Sequence, residues 1–208
     1  MSTNLDARQR SAETKRTRTR EALINAARER FAANGWQATR VEDIARDAGV
    51  GVATAFTHFN KQTLLAHVYA PLVNGLIDKA ESELVAGKPP EEVLVRQVRR
   101  FATMCRKNQP LTFALVAAVH EQTVSSEGPP RSGDDADVRN IVRIPAILQM
   151  PIEYGQRSGE FAATPPAADI ATYHANALLL RTVTRPGESV NKATEIVLSQ
   201  LLPALQPK

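Results

Sequence analysis

A single cysteine, Cys105, in 208 residues rules out an internal disulfide framework and supplies too few thiols for a zinc cluster. Histidine is sparse too: His58, His67, His120 and His174 form no pair at i, i+3 or i+4, so a helical zinc pair is missing. No hydrophobic run approaches the roughly eighteen apolar residues of a membrane span, and Met1 to Arg20 is polar and basic without the apolar centre of a signal peptide. A cytoplasmic location without membrane contact is the expectation. Gly-rich phosphate loops, nucleophile elbows and motif-placed carboxylate pairs are also lacking, which points away from an enzyme and from any cofactor. Nor does any segment alternate apolar and polar residues as a strand does; the chain reads as all-α.

Acidic residues are short at one end only. Residues 1–70 hold 11 Lys/Arg against 7 Asp/Glu, whereas residues 71–208 hold 15 of each, so the whole formal charge of +4 lies in the first third. Such a distribution suggests a head facing phosphate and a body facing something else. Within that first third, Thr39 to Phe59 reads as two short helices around a glycine-containing turn. Val41, Ile44, Ala45 and Ala48 recur at i, i+3, i+4 and i+7, one buried helical stripe. Thr39 with Glu42 has the spacing of a capping box, and Gly49 stands where a helix C-terminus takes a left-handed residue. The second helix, about Gly51 to Phe59, contains no acid and is rich in small residues and short donors: Gly51, Ala53, Thr54, Ala55, Thr57 and His58. A slim, acid-free helix behind a tight turn meets the shape requirement of a helix-turn-helix whose second member enters the DNA major groove.

In chain order, residues 1–14 carry few apolar side chains and are expected to be disordered. Lys15, Arg16, Arg18 and Arg20 follow, a solvated tail by composition, and beside a helix-turn-helix an arm for phosphates or the minor groove. A first helix is predicted over about Thr17–Asn34, with Leu23, Ala27 and Phe31 stacked and Gly35 closing it, before Trp36 plugs the junction to the helix pair. The DNA-binding unit is placed at 15–60, a connecting helix at 61–85 and a C-terminal domain at 86–208. Pro71 is expected to kink or break the connecting helix, making it a lever between head and body.

The first seventy or so residues resemble the DNA-binding domain of the TetR family of bacterial transcriptional regulators. The resemblance rests on Ala26 to Phe31, Asn34-Gly35-Trp36, Thr39, Val41, Asp43-Ile44-Ala45, Ala48-Gly49-Val50, Ala53-Thr54, and Phe56 to Phe59. It implies that Thr39 and Arg40 touch phosphates, that Val52, Ala53 and Thr54 face bases, and that Thr57, His58 and Lys61 grip the backbone. The family usually has Ser at Gly51, Gly at Ala53 and Tyr at Phe56 or Thr57, so hydroxyl contacts are fewer in this chain. Its Phe-x-x-Lys-Glu segment is one residue short in Phe59-Asn60-Lys61-Gln62-Thr63.

From Glu91 onward the sequence reads as helices over about 91–107, 110–124, 138–156, 167–183 and 189–202, about nine helices in all, with bends at Pro145 and Pro151 and a mobile loop over Ser125–Asp137. Gly155 to Phe161 resembles a glycine-rich link before the last two helices. Phe101, Met104, Cys105, Phe113, Val116, His120, Met150 and Tyr154 are the candidates to line an apolar ligand pocket, although each such residue is also an ordinary core residue. Ala171, Ala175, Leu178 and Leu179 with Val190, Ala193, Val197 and Leu201 form alanine-rich stripes fit for a four-helix dimer interface. A homodimer reading a near-palindromic double-stranded DNA operator and released by a small effector is the leading expectation. A ligand-independent activator or architectural DNA-binding protein is the second. A helical enzyme with a basic extension, or an adaptor acting through the 125–137 loop, completes the set.

Overall fold

Ten helices make up the regular structure of the computed structural model, which describes residues 2–126 and 137–207, with side chains over 9–125 and 137–207. They are α1 (Ser2–Ala38), α2 (Val41–Asp47), α3 (Val52–His58), α4 (Lys61–Val85), α5 (Pro90–Lys107), α6 (Gln109–Ser126), α7 (Val138–Ile141), α8 (Ala146–Ser158), α9 (Ala167–Thr184) and α10 (Val190–Leu205). No strand occurs among the described residues. The loop expected over Ser125–Asp137 lies, apart from its ends, outside them.

The N-terminal segment departs from expectation: it is helical from Ser2. Its Ala, Arg, Gln and Glu residues are good helix formers, and Thr14 and Thr19 donate back to the carbonyls of Arg10 and Lys15 at 2.8 and 2.9 Å. Side chains over 9–18 are exposed all round, so local propensity holds this part of α1. Gly35, at φ 70°, breaks the helical path near its end. The chain turns there, and Trp36 folds back to stack on Phe31, with ring centroids 5.8 Å apart and planes 15° apart.

Glycine also ends α2. Gly49, at φ 65°, follows the C-cap Ala48, the Val50 amide donates to the Ala45 carbonyl and the Gly49 amide to that of Arg46, at 2.9 and 3.1 Å. That pair of bonds is a Schellman closure, and only a residue without Cβ takes the left-handed position cheaply. At the other end of α2 the capping box is not formed. Arg40 is the N-cap and no side chain caps it, because the Thr39 hydroxyl instead donates to the Gly35 carbonyl at 2.7 Å. The bend at Gly35 puts that carbonyl within reach and buries Thr39, which is 2% exposed.

A capping box does form one helix later. Asn60 accepts from the Thr63 amide at 2.7 Å and its own amide donates to the Thr63 hydroxyl at 3.0 Å. Lys61 thereby becomes the first residue of α4. This helix runs through Pro71 without interruption; Pro71 is on its exposed side, where water can solvate the carbonyl left without a donor. Proline acts more strongly further on. The single bent helix expected over 138–156 is two helices, with residues 142–145 between them and Pro145 capping the second. That division accounts for ten helices where nine were expected.

α1 packs on α6, α4 and α2; α3 packs on α2; α4, α5, α8, α9 and α10 form the body bundle. One continuous apolar core runs from Leu23 in α1 to Leu205 in α10, with Tyr69, Phe31 and Phe101 the largest side chains fully enclosed. Head and body therefore share a core through α4 and the α1–α6 contact.

Candidate nucleic-acid interface

Helix α3 sets the site. It has seven residues, of which only Ala55 is buried, and Phe59 just beyond it is 3% exposed. α3 packs on α2, and Phe59 ties its end to Arg20 of α1 and His67 of α4, which leaves Gly51, Val52, Ala53, Thr54, Phe56 and Thr57 exposed. No carboxylate lies between Ala48 and Asn60. The Thr57 hydroxyl donates to the Thr54 carbonyl at 2.7 Å, so it is turned onto its own helix.

α2 packs on α3 and is itself tied to α1. Arg30 makes a two-pronged pair with Asp47, its Nε on Oδ2 and its Nη2 donating to Oδ1 at 2.8 Å. Arg40, at the start of α2, is exposed as a phosphate ligand would be. Thr39 is not: it is buried, with its hydroxyl engaged, so a side-chain contact to phosphate is corrected to a structural role.

The arginines expected to form an arm are on helix α1. The Arg20 guanidinium lies over the Phe59 ring, 4.3 Å from its centroid, and together with Arg16 it faces His58. Arg18, two residues from each, points to another side of the helix and is exposed. His58 is half-buried against Phe59, with ring centroids 6.3 Å apart. Burial lowers its pKa first, and Arg16 and Arg20 lower it further, so the ring is neutral near pH 7. Its Nδ1 is enclosed without a hydrogen-bond partner.

Lys61 is half-buried. Its ammonium stacks on Trp36 at 4.3 Å from the ring centroid, and burial lowers its pKa while Glu121 opposes the shift. The other edge of Trp36 is tied to α6: the indole Nε1 donates to Glu121 at 2.7 Å, and Gln62 Nε2 reaches the same carboxylate at 3.4 Å. Glu121 was not legible in the sequence as a site residue. It stands 85 positions from Trp36, and only the folded α1–α6 contact joins them.

In the body, the structure does not bring the eight expected pocket residues together. Phe101, Met104 and Cys105 are core; Val116 is half-buried; Phe113 and His120 are exposed; Met150 and Tyr154 border a surface crevice of about 490 Å³ with Leu84 and Val85. A helix stripe tells which residues are apolar but not which neighbour covers them. What the core does hold is a small polar cluster, with Tyr69 Oη 3.0 Å from the Thr112 hydroxyl and 3.8 Å from Cys105 Sγ. Burial raises the pKa of both the phenol and the thiol, the latter to about 11, so neither ionises.

The expected dimer stripe needs a similar correction. Ala171, Ala175, Leu178, Leu179, Ala193, Val197 and Leu201 are all buried within the chain, and Val190 is half-buried. They pack α9 and α10 against each other and against α5 and α8. The outward side of α9 carries different residues, notably Tyr173 and Leu180, 71% and 54% exposed.

Comparison with known proteins agrees with this geometry. Residues 23–68 match the family of bacterial regulatory proteins of the tetR type. An uncharacterized HTH-type transcriptional regulator, YerO, of Bacillus subtilis strain 168 is 32% identical over 82 residues, which cover 38% of this chain and 28% of that relative's length. Among solved structures, Thermus thermophilus FadR, a TetR-family transcriptional repressor in complex with lauroyl-CoA, superposes with a TM-score of 0.72 at 21% identity over 91% of this chain and 96% of its own. RolR in complex with resorcinol gives a TM-score of 0.68 at 16% identity over 93% and 90%. At such identities the structural likeness establishes the fold.

Proposed function

We propose that this chain, whose residues 23–68 are a TetR-family DNA-binding region, is a transcriptional repressor that binds a near-palindromic operator as a homodimer and leaves it when a small organic effector occupies the body. The observation that carries the reading is α3: an acid-free helix, open on its outer side, with Arg16 and Arg20 beside its His58 end and Arg40 exposed at the start of α2. A double helix presents phosphates at the groove edges and base edges within, and this arrangement matches both.

Two heads are needed because one seven-residue helix reaches few base pairs. Tyr173 and Leu180 on the outer side of α9 favour that helix as the contact between subunits, in place of the inward stripe. For the effector, the relatives in complex with lauroyl-CoA and resorcinol support a small organic molecule, and FadR from Bacillus subtilis was solved in complex with stearoyl-CoA. Release requires that the effector favour a body conformation with a different head separation, since equal affinity for both conformations shifts nothing.

Fluorescence anisotropy on the DNA upstream of its own gene tests the reading. Sequence-preferring binding with a steep negative slope of log affinity against log salt is expected, weakened by long-chain acyl-CoA or a small phenol. Equal affinity for unrelated DNA at all salt concentrations would overturn it.

A further inference from the structure

The outer surface of α3 is short of hydrogen-bonding groups. At about 100° per residue, Val52 and Phe56 share one flank, Thr54 and His58 the other, and Ala53 and Thr57 lie between. Gly51 has no side chain, Ala53 offers a methyl, and the Thr57 hydroxyl is spent on the Thr54 carbonyl. Val52 is 43% exposed and Phe56 52%. Two of the eight large apolar side chains exposed among the described residues thus stand on one seven-residue helix. Phe56, without a hydroxyl, has nothing to donate to a phosphate.

We propose that Val52 and Phe56 read operator sequence by apolar contact with thymine C5-methyl groups in the major groove. The inference rests on the DNA-binding reading above and specifies its chemistry. Thymine is the one base whose major-groove edge carries an apolar group. A carboxylate-free helix with Arg16 and Arg20 beside its His58 end is drawn into that groove by charge, and exclusion of water from the Phe56 ring then rewards a methyl beside it. Side chains four apart on a helix lie about 6 Å from each other, close to two base steps of about 3.4 Å. Each half-site should therefore hold two thymines within three base pairs.

The test begins with duplexes selected by the protein from a random pool, followed by replacement of each thymine in turn by deoxyuridine, which removes only the methyl. Affinity should fall about 4-fold per methyl at two positions per half-site and elsewhere stay level. Phe56→Ala should abolish the thymine-over-uracil ratio at one of them and Val52→Ala at the other, while Phe56→Leu keeps part of it. Because the readout is a ratio within one protein, a folding defect cannot imitate it. Uracil tolerated everywhere by a protein that still selects its sequence overturns the inference and leaves the regulator standing. So does a uracil penalty unchanged in both alanine variants. A random pool from which no sequence emerges overturns the regulator reading and this inference with it.

Discussion

Head and body are held together by different means. In the head, short helices are fixed by local devices: a Schellman glycine at Gly49, a two-pronged Arg30–Asp47 pair and an Asn60–Thr63 capping box. In the body, long helices are fixed by shared burial and by polar groups inside it. Glu83 at the end of α4 takes Arg100 at 2.8 Å and Arg96 at 3.2 Å from α5. The head thus presents its outer surface rigidly while depending on few contacts, and the body depends on many. What couples them is the common core along α1 and α4, the packing of α1 on α6 and the Trp36–Glu121 bond.

The comparison breaks most severely at Trp36, because that side chain belongs to both regions. Trp36→Ala removes the stack on Phe31, the seat of the Lys61 ammonium and the bond to α6. A loss of about 3–5 kcal/mol is expected, with the head melting before the body in a denaturant titration followed by hydrogen exchange. Loss of both in one transition would mean that the regions are less separable than described.

Next in size is Glu83→Gln. In the wild type, the hydrogen bonds from Arg100 hold the Glu83 carboxyl at about 2, against burial, with Arg96 assisting. A folded pKa below the ordinary 4.5 contributes stability that is present above about pH 4.5 and lost as pH falls toward 2. The glutamine variant should lose about 1–3 kcal/mol at neutral pH, and its stability should fall less steeply than the wild type's over that acid window. DNA affinity at pH 7 should hardly change, since the lesion is confined to the body.

Gly155→Ala should cost less, about 1–2 kcal/mol. A Cβ at that position would stand 2.2 Å from the Phe161 ring, which closes over α8. The ring must tilt, and the thermal midpoint of the body should drop without a change in head protection.

How much of this was visible beforehand also divides between the two regions. The turn at Gly49, the break at Gly35 and the open side of α3 follow from residues adjacent in sequence, where one buried face leaves only one other to present. In the body the apolar stripes expected on α9 and α10 are there, but they meet neighbours within the chain. Ala171, Ala175 and Leu178 face their own bundle, because a helix packed on several sides offers a stripe that any of its partners can cover. Thr39 and Lys61 differ for another reason: within the fold the Thr39 hydroxyl meets the Gly35 carbonyl four residues back, and the Lys61 ammonium meets the Trp36 ring. Pro71 sits on an exposed side and leaves α4 unbroken, whereas Pro145 starts a separate helix.

The smallest stability change expected belongs to Glu121→Ala, and it bears most directly on the coupling. The carboxylate receives the Trp36 indole N–H from the head at 2.7 Å and the Gln62 amide from the first turn of α4 at 3.4 Å, and itself stands on α6. Since Glu121 is exposed, water replaces much of what is lost, and about 0.5–1.5 kcal/mol of folding stability is the expected effect. Head placement is another matter, because no other side-chain hydrogen bond between Trp36 and α6 remains to fix the angle. If the bond holds the heads at the spacing DNA requires, operator affinity should fall while affinity for a single half-site stays level. If it holds them away from that spacing, operator affinity should rise and the effector should act less. Equal operator and half-site affinities in variant and wild type would show that the common core alone carries the coupling, and would reduce the Trp36–Glu121 bond to a structural tie.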